Sequence, residues 1–335
     1  MFITYLRSSS YNAYSECQQK YYLNYVLNIP STSNKRAAIG NCFHKAAEIL
    51  AQKKLMEQDG VTSYEDDLGT VFLSDITIDF AIESGYNHYV KLEPDWDWNE
   101  RSDKKELYKW MDQLLNSWFE NYSPLTSNII APEKKFDFVI EKDWAKYVYN
   151  ISGEQVVGHL GIKGTSDLVR DLGDGTIEVV DYKTGKTRND WITGEEKNYK
   201  SFCKDPQLLL YYYAMKNTYP DAKDIIMTII YMEAGGPFSV PIGDLKIPQI
   251  EDMLKTRFKE IKENQRPTLN KSWKCAKFCH YGKNIQPGST DTICKFFADK
   301  VRKDGVNKTF ENYGDLNKLT SYQDGGGRKA KKSDG

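Results

Sequence analysis

Asp167, Asp181 and Lys183 are the residues in this chain best placed to do chemistry together. Residues 164–185 read GTSDLVRDLGDGTIEVVDYKTG. Gly173-Asp174-Gly175 supplies the positive-φ residues that a tight hairpin turn needs, with arms predicted at 164–170 and 176–183. Residues two apart on a strand share a face. Asp181 and Lys183 therefore project to one side, and Asp167 on the partner arm can join them. Asp181 follows Val179-Val180, a pair that should be buried, and a buried charge without a partner is costly. A divalent cation held through carboxylate oxygens answers that cost. Lys183 cannot bind a cation, but beside one it is suited to contact a phosphate or to orient and deprotonate a water. Such a set suits phosphodiester hydrolysis.

A bare Asp-x-Lys is more often a surface ion pair. Here Gly164-x-x-Asp167 stands on the preceding arm, and Gln207 and Tyr211, four apart on one helical face, follow it. The elements around these residues read as an α/β core. Glu133–Ile140 alternates with period two, and Tyr147–Ile151 is a second short strand. Val156–Val169 and Thr176–Tyr182 form the arms of the hairpin. Asp205-Pro206 caps and opens a helix to Asn217. Ile225–Glu233 is a buried strand, and Ile247–Asn264 is an amphipathic helix. Strand, hairpin, helix, strand, helix describes a mixed central sheet flanked by helices.

Upstream, Ser8–Leu27 has the apolar spacing of one Ser-capped amphipathic helix. A second helix is expected over Ala37–Leu50, with His44 in its first turns after a turn at Gly40-Asn41. Residues 51–123 are expected to be helical, with apolar spacing in Val71–Lys91 and Lys104–Tyr122 and a loop at 94–98. The tail from Gln323 is Gly-rich and then basic, as in disordered segments. The boundaries expected are 1–35 for an N-terminal helix, 36–125 for a helical region, 126–270 for the core, 271–300 for a Cys-rich clasp and 301–335 for the tail.

The 335 residues carry a formal net charge of −1, which selects no partner by itself. Its distribution is uneven: 14 acidic and 4 basic residues lie between Glu57 and Glu106, 8 basic and 2 acidic between Lys271 and Lys303, and 4 basic and 1 acidic in residues 1–36. Each cluster alone reads as a solvated face. Together the basic ends could track a phosphate backbone. No apolar run is long enough to span a membrane, and no secretory leader is evident. A cytoplasmic protein is expected.

The motif order resembles the RecB-like branch of the PD-(D/E)XK nuclease superfamily: a Gly-x-x-Asp strand, a (D/E)-x-K strand, then a Q-x-x-x-Y helix. These are Gly164/Asp167, Asp181/Lys183 and Gln207/Tyr211. The resemblance implies a restriction-endonuclease-like core, DNA as substrate and Mg²⁺ or Mn²⁺ as cofactor. It implies metal ligands at Asp167 and Asp181, with His44 in GNCFHKAAEIL and Glu133 completing the shell. An exonuclease of recombination, repair or phage DNA processing is the leading expectation, with recombination or replication proteins as partners. A non-catalytic DNA-binding scaffold and a CRISPR-adaptation nuclease are the alternatives.

Cys275, Cys279 and Cys294 lie close together near the C-terminus, as at a metal or cluster site. CRISPR-adaptation and AddB-type members of the superfamily carry an iron–sulfur cluster on one N-terminal Cys and three after the core. Cys17 with Cys275, Cys279 and Cys294 resembles that layout, which implies a 4Fe-4S cluster. The spacing here is C-x₃-C-x₁₄-C, against C-x₂-C-x₅-C in the family pattern, and Zn²⁺ is the alternative occupant.

Overall fold

The computed structural model describes residues 1–31, 34–66, 69–116, 122–125, 128–151, 153–190, 192–283 and 291–321. The chain opens with β1 (Tyr5–Leu6) and α1 (Ser8–Glu16). Ser10 closes the start of α1, its hydroxyl accepting from Arg7 N at 2.9 Å and donating to Arg7 O at 3.0 Å. The single helix expected over 8–27 is broken. Cys17 is extended at φ −161° and separates α1 from α2 (Gln18–Tyr21), and a π turn follows at Tyr22–Val26. Long-range bonds take over at the break: Gln19 N donates to Thr268 O at 3.1 Å, and the Gln18 side-chain oxygen accepts from Thr268 N at 3.0 Å.

Asn34 caps α3 (Lys35–Asp59) by accepting from Ala37 N, and Gly60 at φ 67° ends it. The turn expected at Gly40-Asn41 is absent, because both residues lie inside α3. A mid-helix glycine costs about 1 kcal/mol relative to alanine. Gly40 is explained by close packing, since a Cβ there would sit 2.7 Å from Thr184 Oγ1. A short antiparallel hairpin, β2 (Ser63–Asp66) with β3 (Gly69–Phe72), replaces the helix start expected at Val71. Then come α4 (Ile78–Leu92), capped by Thr77, and α5 (Glu100–Leu115), capped by Asn99.

The strands expected from Pro132 onward form with shifted bounds: β4 (Ile129–Val139), β5 (Lys146–Ile151), β6 (Glu154–His159), β7 (Gly161–Gly173) and β8 (Thr176–Lys183). The arm expected over 156–169 is two strands, because β6 pairs with β5 and Leu160 N bonds back to Ala145 O at 2.9 Å. The β7–β8 turn follows expectation, with Gly173, Asp174 and Gly175 at φ 89°, 54° and 77°. Next are α6 (Tyr199–Phe202), α7 (Pro206–Thr218), β9 (Asp224–Tyr231), β10 (Gly235–Pro241), α8 (Ile247–Glu263), α9 (Trp273–Lys277), α10 (Ile293–Tyr313) and α11 (Leu316–Ser321). The tail from Gln323 lies outside the described residues.

The chain folds as two compact units, residues 1–32, 136–164 and 248–335, and residues 33–135 and 165–247. In the second, β7, β8, β9 and β10 are neighbours in that order. β7–β8 and β9–β10 are antiparallel, and β8–β9 is parallel, in register from Thr176–Asp224 to Lys183–Tyr231. The sheet is therefore mixed. Leu168, Val180, Tyr182 and Ile230 pack into one core with Phe43 and Ala46 of α3, Ile82 of α4 and Trp110 of α5. In the first unit, β1 pairs in parallel with residues 161–162 of β7. There the Met1 amine donates to Asn264 O at 2.6 Å, and Gly164 abuts the Phe136 ring, with 2.3 Å between a Cβ at that position and Cζ.

Candidate active site

Strand alternation divides β8 between two faces. Val180 and Tyr182 enter the core under α3, while Asp181 turns to the other face, 5 % exposed. There α7 brings Gln207, whose Nε2 donates to Asp181 Oδ1 at 2.8 Å. Asp205 fixes the start of α7 by accepting from Gln207 N at 2.9 Å, with Pro206 in the first turn. Asp181 Oδ2 lies 2.5 Å from Lys183 Nζ. Burial lowers the Lys183 pKa, but Asp181 more than offsets it and holds the ammonium above the usual lysine range. Tyr211, one turn beyond Gln207, is buried, and burial together with Asp181 pushes its hydroxyl up to about 12.

Asp167 stands one residue before the Leu168–Val180 pair. Its Oδ2 accepts from Tyr182 N at 2.6 Å, and its Oδ1 lies 3.0 Å from His44 Nδ1. Burial would raise the Asp167 pKa, yet His44 and the Tyr182 amide hold it below the usual range. Asp181 is pushed the other way, upward, by burial and by Asp167 against the pull of Lys183. Burial favours a neutral His44, but Asp167 and then Asp181 raise its pKa above the ordinary histidine value.

Glu133 completes a trio. Its backbone departs from ideal strand geometry at φ 44°, a conformation that few non-glycine residues adopt. One ligand atom each from His44, Glu133 and Asp167 lie within 4.8 Å of one another. Burial, Asp167 and Glu48 push the Glu133 carboxyl up to about 8. Crowded, half-buried acidic oxygens beside a histidine nitrogen make a donor set that suits a divalent cation, whose charge would relieve the repulsion. Asp181 is outside this trio, its two oxygens directed to Gln207 and Lys183.

Two residues not singled out in the sequence support the arrangement. Arg36, two turns before His44 on α3, donates to Thr184 O at 2.9 Å, Glu106 Oε1 at 2.7 Å and Glu233 Oε1 at 2.5 Å. Its guanidinium also lies over the Trp110 ring at 5.3 Å, and Trp110 Nε1 donates to Glu233 at 3.2 Å. Arg36, Gly40 and His44 recur every four residues and so line one helix face. That spacing was the available signal for Arg36. Glu233, just past β9, had none.

Cys17, Cys275, Cys279 and Cys294 all belong to the first unit, and none is in a disulfide. Burial and then the thiols of Cys17, Cys279 and Cys275 push Cys294 up to about 12. Among the described residues, His44, Glu133 and Asp167 bring ligand atoms within 4.8 Å of one another, and the four sulfurs do not.

The class follows from a mixed sheet whose central hairpin carries an Asp–Asp–Lys set between a histidine helix and a Gln–Tyr helix. The family model of the PD-(D/E)XK nuclease superfamily matches residues 8–283, and the chain belongs to that superfamily. Among solved structures, a candidate exonuclease from Eubacterium rectale is similar at 10 % identity and a TM-score of 0.46, covering 88 % of this chain and 93 % of that one. The protein SSO0001 is similar at 13 % identity and a TM-score of 0.26, covering 82 % and 94 %. No curated protein matches the sequence. No described helix is long and apolar enough to cross a membrane.

Proposed function

We propose that the protein is a metal-dependent deoxyribonuclease of the RecB-like branch, acting as an exonuclease in DNA recombination, repair or phage DNA processing. The observation that carries the reading is the His44–Glu133–Asp167 trio set beside the Asp181–Lys183 pair. His44, Glu133 and Asp167 would hold Mg²⁺ or Mn²⁺, and Asp181 would become a further ligand once Lys183 moves from its Oδ2 to the phosphate. When bound, the cation polarises a phosphoryl oxygen and acidifies the attacking water. Lys183, kept charged by Asp181, contacts the scissile phosphate and orients the water. Gln207 fixes the Asp181 carboxylate, and Tyr211 stays protonated beneath it. DNA as the substrate is supported by the motif order Gly-x-x-Asp, Asp-x-Lys, Gln-x-x-x-Tyr.

The test is cleavage of end-labelled linear and covalently closed circular DNA with Mg²⁺ or Mn²⁺. Linear DNA should be degraded from its ends and circles should survive. Asp181→Ala and Lys183→Ala should each abolish cleavage without altering circular dichroism. Full activity in either variant sinks the reading, and DNA binding without any cleavage by the wild type turns it into a scaffold. The one-plus-three order of Cys17 with Cys275, Cys279 and Cys294 along the sequence supports a 4Fe-4S cluster. A brown anaerobic preparation containing iron and acid-labile sulfide would agree, and a colourless zinc protein would overturn it.

A further inference from the structure

We infer that the segment around α9 is a stacking platform for single-stranded DNA, a site separate from the Asp–Asp–Lys set. The choice of DNA rests on the deoxyribonuclease reading. Trp273 is 61 % exposed and Phe278 49 % exposed, with ring centroids 5.6 Å apart at 72°. Two large rings side by side in water forgo the burial that normally stabilises a fold. A scattered exposed apolar residue needs no explanation, but an adjoining aromatic pair marks a binding surface. Residues 265–283 contain five Lys or Arg and no Asp or Glu. Lys277 Nζ lies 5.8 Å from the Trp273 ring centroid. The pairing of an exposed ring with a lysine recurs on α10, where Phe296 is 42 % exposed and Lys300 lies over its ring at 5.4 Å.

Exposed rings interleaved with cations, over a stretch at 265–283 that has no acidic residue, match a flexible polyanion that carries flat π-faces. An unpaired strand offers those faces, whereas a duplex hides them in its stack. A protein partner for such a surface would have to be acidic and would not need the rings in particular. Cations alone would track either form of DNA, so the rings select for the single strand.

The full-length protein is titrated against fluorescent oligothymidylate and against a blunt hairpin duplex by anisotropy, with EDTA present to prevent cleavage. Trp273→Ala and Phe278→Ala should each weaken oligothymidylate binding about tenfold and leave duplex binding unchanged. Trp273→Tyr should retain most of the affinity, since tyrosine still stacks. Lys277→Gln should lower the salt dependence by about one phosphate contact. Unchanged thermal unfolding and circular dichroism exclude a folding defect. If the Trp273→Ala variant unfolds, the Tyr and Gln variants still decide the matter. Wild-type affinity in folded alanine variants, or equal losses on both DNA forms, overturns the platform. The nuclease reading is scored separately: Lys183→Ala must lose cleavage yet keep Trp273-dependent binding. A wild type that binds through Trp273 but never cleaves upholds the platform and removes the nuclease.

Discussion

Glu133 shows how much one side chain can report. Its carboxyl is pushed up to about 8 by burial, Asp167 and Glu48. A cation must displace that proton, so below pH 8 protons compete with metal. Mn²⁺ affinity, measured calorimetrically, should therefore rise with pH up to about 8 and level off above. Glu133→Gln should bind more weakly and lose much of that slope. An unchanged slope in the variant would remove Glu133 from the metal shell. The residue was legible only as a family position on the first core strand. Nothing in EKKFDFVI signals a φ of 44° or the proximity of Asp167, because both arise from long-range packing. Asp181 and Lys183 were legible from alternation alone, because a period of two decides which residues share a face. What alternation could not show is that Gln207 and Lys183 occupy both Asp181 oxygens.

Helices and strands with one strong pattern were readable. The helix at Asp205-Pro206 starts where an N-cap carboxylate and a first-turn proline put it, and β9 is a plain apolar run. Elements shaped by partners were misread. Gly40 looked like a turn because glycine is a poor helix former, but Thr184 approaches too closely for a larger residue. The β2–β3 hairpin is short and largely exposed, so its apolar spacing imitated a helix. The same close approaches make element-level predictions. A Cβ on Gly85 of α4 would stand 2.6 Å from the backbone oxygen of Cys42, which cannot swing aside as a side chain can. Gly85→Ala should destabilise by roughly 1–3 kcal/mol in urea unfolding, through separation of α4 from α3. Arg36→Lys keeps the charge but loses the fork that reaches Thr184, Glu106 and Glu233 together. It should shift α3 along β8, weakening Mn²⁺ binding at His44 more than it lowers the unfolding temperature. The reverse order of effects would make Arg36 a stability residue only.

At the scale of the molecule, sequence order and spatial order diverge. Residues 1–32, 136–164 and 248–335 carry 24 Lys or Arg against 16 Asp or Glu, a net of +8. The other unit carries 22 against 31, a net of −9, which matches the chain total of −1. The uneven charge seen along the sequence is thus a division between two bodies. So is the candidate chemistry, since His44, Glu133, Asp167, Asp181 and Lys183 lie in the acidic unit and the four cysteines in the basic one. A ligand that binds only the folded state stabilises what it binds, by about 2.7 kcal/mol at a hundred times its Kd, and hydrogen exchange shows where. Saturating Mn²⁺ should slow amide exchange in α3, β8 and the adjoining end of β7, while leaving α1, α2 and α9 as they were. Iron and sulfide loading of the apoprotein should protect α1, α2 and α9 and leave α3 unchanged. Protection around Cys275 on adding Mn²⁺, with none at His44, would move the divalent site from the hairpin to the cysteines. That outcome would leave the Asp–Lys pair as a buried ion pair, so this one experiment discriminates between the two candidate centres.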